Sequence, residues 1–513
     1  MKTHCPRLLA MLLLFALSCV ASPGGVTTNY VRYGGAGLQD GSSWSNAFAE
    51  IQQAINALSL GSEINETVDG TIKVGLTTST QSYAKANFIG NIQNPTTVRI
   101  EGGYDAATDM QVGMSTIRGN GVTNTDVGIY LYKTTGDHGE FLRIDKADRL
   151  VIKDVQIGIK IKAGVSLDQV RPNIRLYNST VTAGQHGLQV DWPKNYLHGP
   201  TYITVADSTI TAGQDLGAAD GDAIWCHSAQ PRVSVVSSEL TSGVGGGMYI
   251  VNENAGDATA GERFYVYVTD SRIVDTAGEG IHYEDPNSGG YGRGVVGVRL
   301  IGSVITGHGS NGVYVKTWNE GDWTGGNDTG EIHFFATNSV IADNAGYGVD
   351  LYGYSATRPD CCQVEFQMVN CTVADNTAGG IRTRTAHNTF GTHIVYNTII
   401  AGNGGNGVNV DDGNSTAVNV TEDYNDFYDN TGPELLEAGV PGTLGANDLE
   451  ADPAFVGTGD HPYRPDTGSV VLNAGNDAVA PALDILDVAR PSGAHVSMGA
   501  YETGPSPTVM MIR

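Results

Sequence analysis

Gly280-Ile281-His282-Tyr283-Glu284 is followed, 32 residues on, by Gly312-Val313-Tyr314-Val315-Lys316. The same step occurs upstream as Gly187-Leu188-Gln189-Val190-Asp191, Ala223-Ile224-Trp225-Cys226-His227 and Gly247-Met248-Tyr249-Ile250-Val251. Downstream it reads Gly348-Val349-Asp350-Leu351-Tyr352, Gly380-Ile381-Arg382-Thr383-Arg384 and Gly407-Val408-Asn409-Val410-Asp411. Each is a small residue, an aliphatic residue, then alternation. Alternate side chains of a strand point to opposite faces, so Leu188, Ile224, Met248, Ile281, Val313, Val349, Ile381 and Val408 are expected to share an inner face. The outer face then carries aromatics, imidazoles and charges.

A second step precedes the first. A polar or small residue is followed three places later by an aliphatic: Asn178 with Val181, Asp207 with Ile210, Ser237 with Leu240 and Asp270 with Ile273. Gly302 with Ile305, Asn338 with Ile341, Asn370 with Val373 and Asn397 with Ile400 continue it. These aliphatics are 29, 30, 33, 32, 36, 32 and 27 residues apart, whereas the interval to the next small residue is 7 in six cases. Length variation therefore falls after the glycine-led strand, in Trp192 to Pro200, Asn252 to Gly261, Asp285 to Gly294, Thr317 to Gly330 and Gly353 to Asp360. A constant frame with variable insertions on one side predicts a solenoid with functional loops on that side.

The corner residue, short turn and small-aliphatic step resemble the right-handed parallel β-helix repeats of the pectate-lyase-like superfamily, over most of residues 95 to 430. The ends resemble a narrower group, secreted bacterial β-helix proteins of the choice-of-anchor type. At the entry this rests on Asp40-Gly41-Ser42-Ser43-Trp44 with Ala47, Phe48, Ile51 and Gln52. At the exit it rests on Asp452-Pro453-Ala454-Phe455, Asn473-Ala474-Gly475-Asn476, Arg490-Pro491 and Met498-Gly499-Ala500-Tyr501-Glu502. Ser497 stands where that group has Asp, and no sorting helix follows Glu502, so release to the medium is the expectation. The resemblance implies an all-β, right-handed parallel β-helix solenoid with an N-terminal amphipathic helix cap and a C-terminal closing segment. Residues 1–21 are read as a signal peptide, 22–94 as cap and entry, 95–432 as β-helix, 433–502 as closing segment and 503–513 as tail.

Composition agrees with that class. Glycine is abundant and strand and turn formers outnumber helix formers. Ala47, Phe48, Ile51, Ile55 and Leu58 are the exception, at helical spacing. Lys2 and Arg7 precede an apolar run, Leu8 to Leu17, which is too short to span a membrane and predicts cleavage after Ala21. Cys19 is a candidate lipid acceptor, with Leu17 one place off the usual pattern. Net charge is -26, and -28 once residues 1–21 are removed, which argues against nucleic acid as a partner. Cys226, Cys361, Cys362 and Cys371 form no disulfide framework, because Cys362 and Cys371 fall at opposite ends of one strand.

Aligned by rung, the outer face carries one row of Gln189, Trp225, Tyr249, His282, Tyr314, Asp350, Arg382 and Asn409. A second runs Asp191, His227, Val251, Glu284, Lys316, Tyr352, Arg384 and Asp411. Aromatic rings offer apolar faces to sugars and charges hold hydroxyls or carboxylates, so Trp225, His227, Tyr249, Tyr314, Trp318, Asp350 and Arg382 are candidate substrate contacts. Lys316, Arg384, His282, Tyr352 and Glu284 are the candidate catalytic groups, since β-elimination needs a base and a cation for the substrate carboxylate. A hydrolase pair of Glu284 and Asp350 would span roughly 12 Å between backbones, wider than an inverting pair needs. The competing reading is a ladder in which rings stack on one another and Glu284 with Lys316, or Asp350 with Arg382, merely pair across strands. The strand before the corner offers a plainer outer row: Thr204, Ser234, Tyr267, Arg299, Phe335 and Gln367.

Gly307-His308-Gly309 occupies the turn that Asp343-Asn344-Ala345 fills one unit later, and reads as turn chemistry. Glu284-Asp285 and Asp411-Asp412 are the candidate calcium ligands; no other cofactor is indicated. The expected protein is a monomer, secreted or at the cell surface and without a transmembrane segment, that binds an extracellular polysaccharide; if it is an enzyme, β-elimination or epimerisation is the expected reaction. The alternative is a non-catalytic surface or adhesion protein.

Overall fold

The computed structural model describes residues 27–59, 68–90, 96–122, 126–133, 141–163, 171–191, 200–215, 217–228, 230–252, 263–287, 295–319, 330–355, 362–385, 391–411 and 420–503. The expected signal peptide, Cys19, Cys361, Asp412, residues 504–513 of the tail and most of each variable insertion lie outside them.

Three sheets run the length of the chain, with 13, 14 and 12 strands among the described residues. The first holds the glycine-led strands, such as Leu188–Asp191, Ile281–Asn287 and Val313–Asn319. The second holds the strands before the corner, such as Thr201–Ala206 and Val295–Ile301. The third holds the short strands after it, such as Thr209–Ala212 and Val304–Thr306. In each sheet a strand pairs in parallel with its equivalent one coil on, so the chain is a parallel β-helix. The second sheet begins before residue 95: Thr27–Val31 pairs in parallel with Val68–Gly75, which pairs with Thr96–Asp105.

The corner holds its shape through backbone conformation. Asn178, Asp207, Ser237, Asp270, Asn338, Asn370 and Asn397 all take left-handed backbone, with φ between 45° and 52°, a region asparagine and aspartate enter more readily than other side chains. Gly302 fills the same place at φ 56°. The next residue points inward and builds a ladder: the Ser179 amide donates to Ser208 Oγ, Ser208 to Ser238 and Ser238 to Ser271, each at 3.1 Å. Asn178-Ser179-Thr180, a glycosylation triplet by sequence, is thus a corner whose serine is buried.

A second ladder lines the turn into the first sheet. Asn344 Nδ2 donates to Asn376 Oδ1 (2.7 Å), Asn376 to Asn403 (3.0 Å) and Asn403 to Asn430 (2.8 Å). His308 occupies the preceding rung: its amide donates to Asn344 Oδ1, and its Nδ1 lies 2.7 Å from Thr276 Oγ1. Burial pushes this imidazole down to about 4, so it is a neutral structural group, as its place in the turn predicts.

Helix α1 (Ile51–Ser59) buries Ile51, Ala54, Ile55 and Leu58 against the core of the first coils. Ala47 and Phe48, counted with it in sequence, precede it. Phe48 forms a parallel bridge to Val31, and Gln53 Oε1 accepts the amides of Ala49 and Glu50, fixing the helix start. At the other end, the chain from Asp452 to Thr503 runs along the outside of the third sheet. Asn338 donates to Leu483 O, Asn370 to Ser497 O and Asn397 to Asn476 O. Tyr463, Ala500 and Tyr501 pack on Val340, Ala342 and Ala374, and Met498 on Ile399. A fully buried ion pair, Arg490 with Glu502 at 2.9 Å, fastens this segment. Cys226 and Cys371 are free and buried, and no described helix is long and apolar enough to cross a membrane.

Candidate functional site

The rung alignment expected from sequence is the register observed. Gln189, Trp225, Tyr249, His282, Tyr314, Asp350, Arg382 and Asn409 pair in succession, as do Asp191, His227, Val251, Glu284, Lys316, Tyr352, Arg384 and Asp411. Between the rows, Val190, Cys226, Ile250, Tyr283, Val315 and Leu351 point inward and are buried. The rows therefore stand side by side on the outer face of the first sheet. Trp318 pairs with Pro286 and Tyr354 by backbone; its side chain is outside the described residues.

Part of this face is a continuous stack. Trp225 and His227 lie 4.1 Å apart at 13°, His227 and Tyr249 5.7 Å apart at 28°, and Tyr249 and His282 4.6 Å apart at 29°. Tyr314 follows at 5.0 Å. His186 begins it, 5.5 Å from Trp225. From Trp225 to His282 the ring faces stack on one another, while His186 and Tyr314 meet the ends at a tilt, 34° and 55°, and the His227 Nε2 and both His282 ring nitrogens are buried. Burial first, then nearby carboxylates, raise the Tyr314 phenol to about 12, so it is a hydroxyl donor at neutral pH.

At the centre of the face His282 is bracketed by acids. Its Nδ1 lies 3.7 Å from Glu279 and its Nε2 3.3 Å from Glu284. Burial opposes a charge on this ring, but the two carboxylates outweigh it and raise the imidazole to about 9. Neither ring nitrogen has an aligned hydrogen bond, so the attraction is that of ion pairs. Glu279 also accepts from Ser310 Oγ at 2.9 Å. Lys316 Nζ stands 4.0 Å from Glu284. Counted among the candidate bases in sequence, His282 is cationic at neutral pH and can only donate a proton there.

Asp350 has a different fate. Its carboxylate takes two bonds from Arg382, at 3.0 and 2.7 Å, and a third from Arg384 at 2.9 Å, and it is 2% exposed. The guanidiniums also lie over rings, Arg382 3.9 Å from the Tyr347 centroid and Arg384 4.4 Å from Tyr352. A carboxylate so held is not free to act as acid or base, so Glu284 and Asp350 do not form a hydrolase pair. Glu284 and Asp285, neighbours in sequence, point to opposite sides, and Asp285 is buried inside the coil. They cannot share one calcium ion. Among the described residues no three His, Cys, Asp or Glu side chains converge on a metal position.

A third row was not read from sequence. His186, Asp222, Glu279 and Asn311 each lie in the turn two places before a strand of the first sheet, Tyr347 at the same position opens its own strand, Tyr347–Ser355, and successive amides bond across the row, as Gly280 N to Asn311 O and Gly312 N to Tyr347 O. Strand alternation does not extend into a turn, so periodicity could not place the first four of them. Their constant position ahead of the small residue was the available signal. His186 Nδ1 accepts the Asp222 amide at 3.1 Å, and burial holds the ring near 4, hence neutral.

The fold and face define a parallel β-helix with an ionic and aromatic strip along one sheet. No family model matches the chain, and no curated protein does. In structure it is similar to pectate lyase Pel9A, with 13% identity, a TM-score of 0.41, and coverage of 94% of this chain and 98% of that one. It is also similar to the A-module of Azotobacter vinelandii mannuronan C-5 epimerase AlgE4, with 12% identity, a TM-score of 0.36, and coverage of 78% and 94%. The fold assignment stands on strand order and register, independently of these similarities.

Proposed function

We propose that the outer face of the first sheet binds an extracellular, uronate-containing polysaccharide and processes it by β-elimination or by epimerisation. The observation that carries this reading is the concentration of His282, Lys316, Arg382 and Arg384 within four successive rungs, with the Asp350 and Tyr352 rung between Lys316 and the arginines, on a chain whose net charge is -26. These cations are set against Glu279, Glu284 and Asp350, so the strip is close to balanced on a strongly acidic protein, and an anionic ligand is repelled less there than by the chain as a whole. Both reactions begin by removing the proton beside the uronate carboxylate. Arg384 and Lys316 are placed to hold that carboxylate, Tyr314 to donate a hydrogen bond, and His282 to supply a proton to the leaving oxygen. With Lys316 holding the carboxylate as a cation, proton removal falls to Tyr352 as a phenolate; with Lys316 as the neutral base instead, Arg384 alone holds the carboxylate. In the same reading the chain is exported with residues 1–21 as leader, acts as a monomer, and has α1 and residues 433–502 as covers for the β-helix.

One observation favours the alternative, a non-catalytic adhesion or spacer protein: the rings stack on each other and Asp350 is already saturated by Arg382 and Arg384. Incubation with uronate-containing and neutral polysaccharides, with and without calcium, separates the two. Unsaturated products detected by ultraviolet absorbance, or inverted uronates detected by NMR, support processing. Retardation in glycan-containing native gels without product supports binding alone, and silence in both assays supports the spacer.

A further inference from the structure

The segment on the third sheet does not fill all the space beneath it. A cavity of about 450 Å³ remains between them, within the range of small-ligand pockets, about 300–1,000 Å³. Its floor is the outer side of three consecutive rungs, Arg272, Val304 and Val340 in register, with Val274 and Thr306 beside them. Its far wall is the segment itself, through Pro462, Tyr463 and Tyr501. This is the side of the solenoid occupied by the third sheet, and none of these residues belongs to the strip described above.

We propose that this cavity binds a single sugar residue that carries no negative charge, either neutral or amine-bearing. Three features fix that class. Asp275, Asp343 and Asp460 face the space, while Arg272, the one cation among the described residues that line it, already lies 3.4 Å from Glu239. The field is therefore negative and disfavours a carboxylate or phosphate. The acids do not converge on a metal position; carboxylates spread around a cavity suit separate hydroxyl or ammonium donors instead.

The spread follows from the backbone. Asp275, Gly307 and Asp343 are equivalent places on three rungs, one residue beyond the paired Val274, Thr306 and Ala342, and all three have positive φ. Gly307 lacks a side chain there, and a Cβ would fall 2.5 Å from Asp275 Oδ1. The Asp275 carboxylate leans into the space that Gly307 leaves, while the backbones of Asp275 and Asp343 stand two rung spacings apart, roughly 10 Å. Val304 and Val340 supply an apolar floor, and Tyr463 and Tyr501 aromatic walls, against which a sugar's C–H face can lie. Tyr463 is held in place by its hydroxyl, 3.0 Å from Asp375.

The test is titration calorimetry of the full chain with D-glucose, D-galactose, D-mannose, D-glucosamine and D-glucuronate. Saturable binding of at least one neutral hexose or of glucosamine is expected, with glucuronate at least tenfold weaker. Asp275→Asn with Asp343→Asn keeps residues that tolerate left-handed backbone and should weaken glucosamine at least tenfold while the thermal midpoint holds. Thr306→Phe, which fills the space, should abolish all binding. Absence of saturation by every uncharged or amine-bearing sugar, tightest binding by glucuronate, or unchanged affinity in the Asp275/Asp343 double variant would overturn the proposal. The readout does not involve the first sheet, so failure of the polysaccharide assignment leaves it intact.

Discussion

Arg382 grips Asp350 with two parallel hydrogen bonds, Nε to Oδ1 at 3.0 Å and Nη2 to Oδ2 at 2.7 Å. The pair spans adjacent rungs of the first sheet, and Asp350 serves as the anchor of two guanidiniums, Arg384 being the second. Replacing Asp350 with Ala leaves both cations uncompensated beside the core. A loss of about 3 kcal/mol is expected, in the range for breaking a buried pair, read as a lower urea midpoint with unchanged slope.

The His282 imidazole gives the protein a pH signature. Its folded value of about 9 lies above the unfolded 6.5, so the protonated ring stabilises the fold fully below about pH 6.5, and this contribution is lost as pH rises through about 9. His282→Gln should flatten the stability profile between those limits. An NMR titration placing this ring near or below 6.5 would refute the ion-pair description.

Asp285 acts in the opposite direction. Burial raises it to about 7 in the fold, against 3.8 unfolded. The folded state holds a proton that the unfolded state has released, so stability falls as pH rises from about 4 to about 7 and is level above. Asp285→Asn keeps a hydrogen-bonding partner for Asn252 and should raise the unfolding free energy at pH 8 by on the order of 2–3 kcal/mol, read as a higher urea midpoint. No gain at pH 8 would show that the carboxylate is solvated.

The asparagine ladder predicts a cost with no effect on the site. Asn376 Nδ2 donates to Ile341 O and Asn403 Oδ1, and its Oδ1 accepts from Asn344. Asn376→Val leaves buried partners unsatisfied, and a loss of about 2–3 kcal/mol is expected, with glycan retardation unchanged in the folded variant.

On the strip, Lys316→Ala and Arg384→Ala should each weaken retention of a uronate polysaccharide at least tenfold, while Asn409→Ala, on the same face two rungs beyond Asp350, changes it less than twofold. Equal effects from all three would point to diffuse charge attraction in place of a defined site.

How far sequence reached is clear from individual residues. The pairing of His282 with Tyr314 and Asp350, and of Glu284 with Lys316, followed from counting, because a parallel solenoid places equal positions one rung apart. The unbroken apolar runs Val340-Ile341-Ala342 and Ile399-Ile400-Ala401 carried a further signal: both faces of these strands are buried, one by the core and one by the C-terminal segment. What counting could not supply is which polar groups satisfy each other. Asp350 and Glu284 are equivalent acids in a list of residues. One is locked beneath two arginines and the other beside His282, because those contacts depend on side-chain direction across rungs.

The sequence alone thus determined the rungs, the inward and outward faces and the two rows, since all of these are consequences of local period. Only the tertiary structure decided that Glu279 and His186, from turns, join those rows, that Asp285 faces inward, and that a distant C-terminal segment encloses a cavity on the third sheet. Turns obey no period, and contacts between residues more than a hundred positions apart are set by packing, which local pattern does not encode.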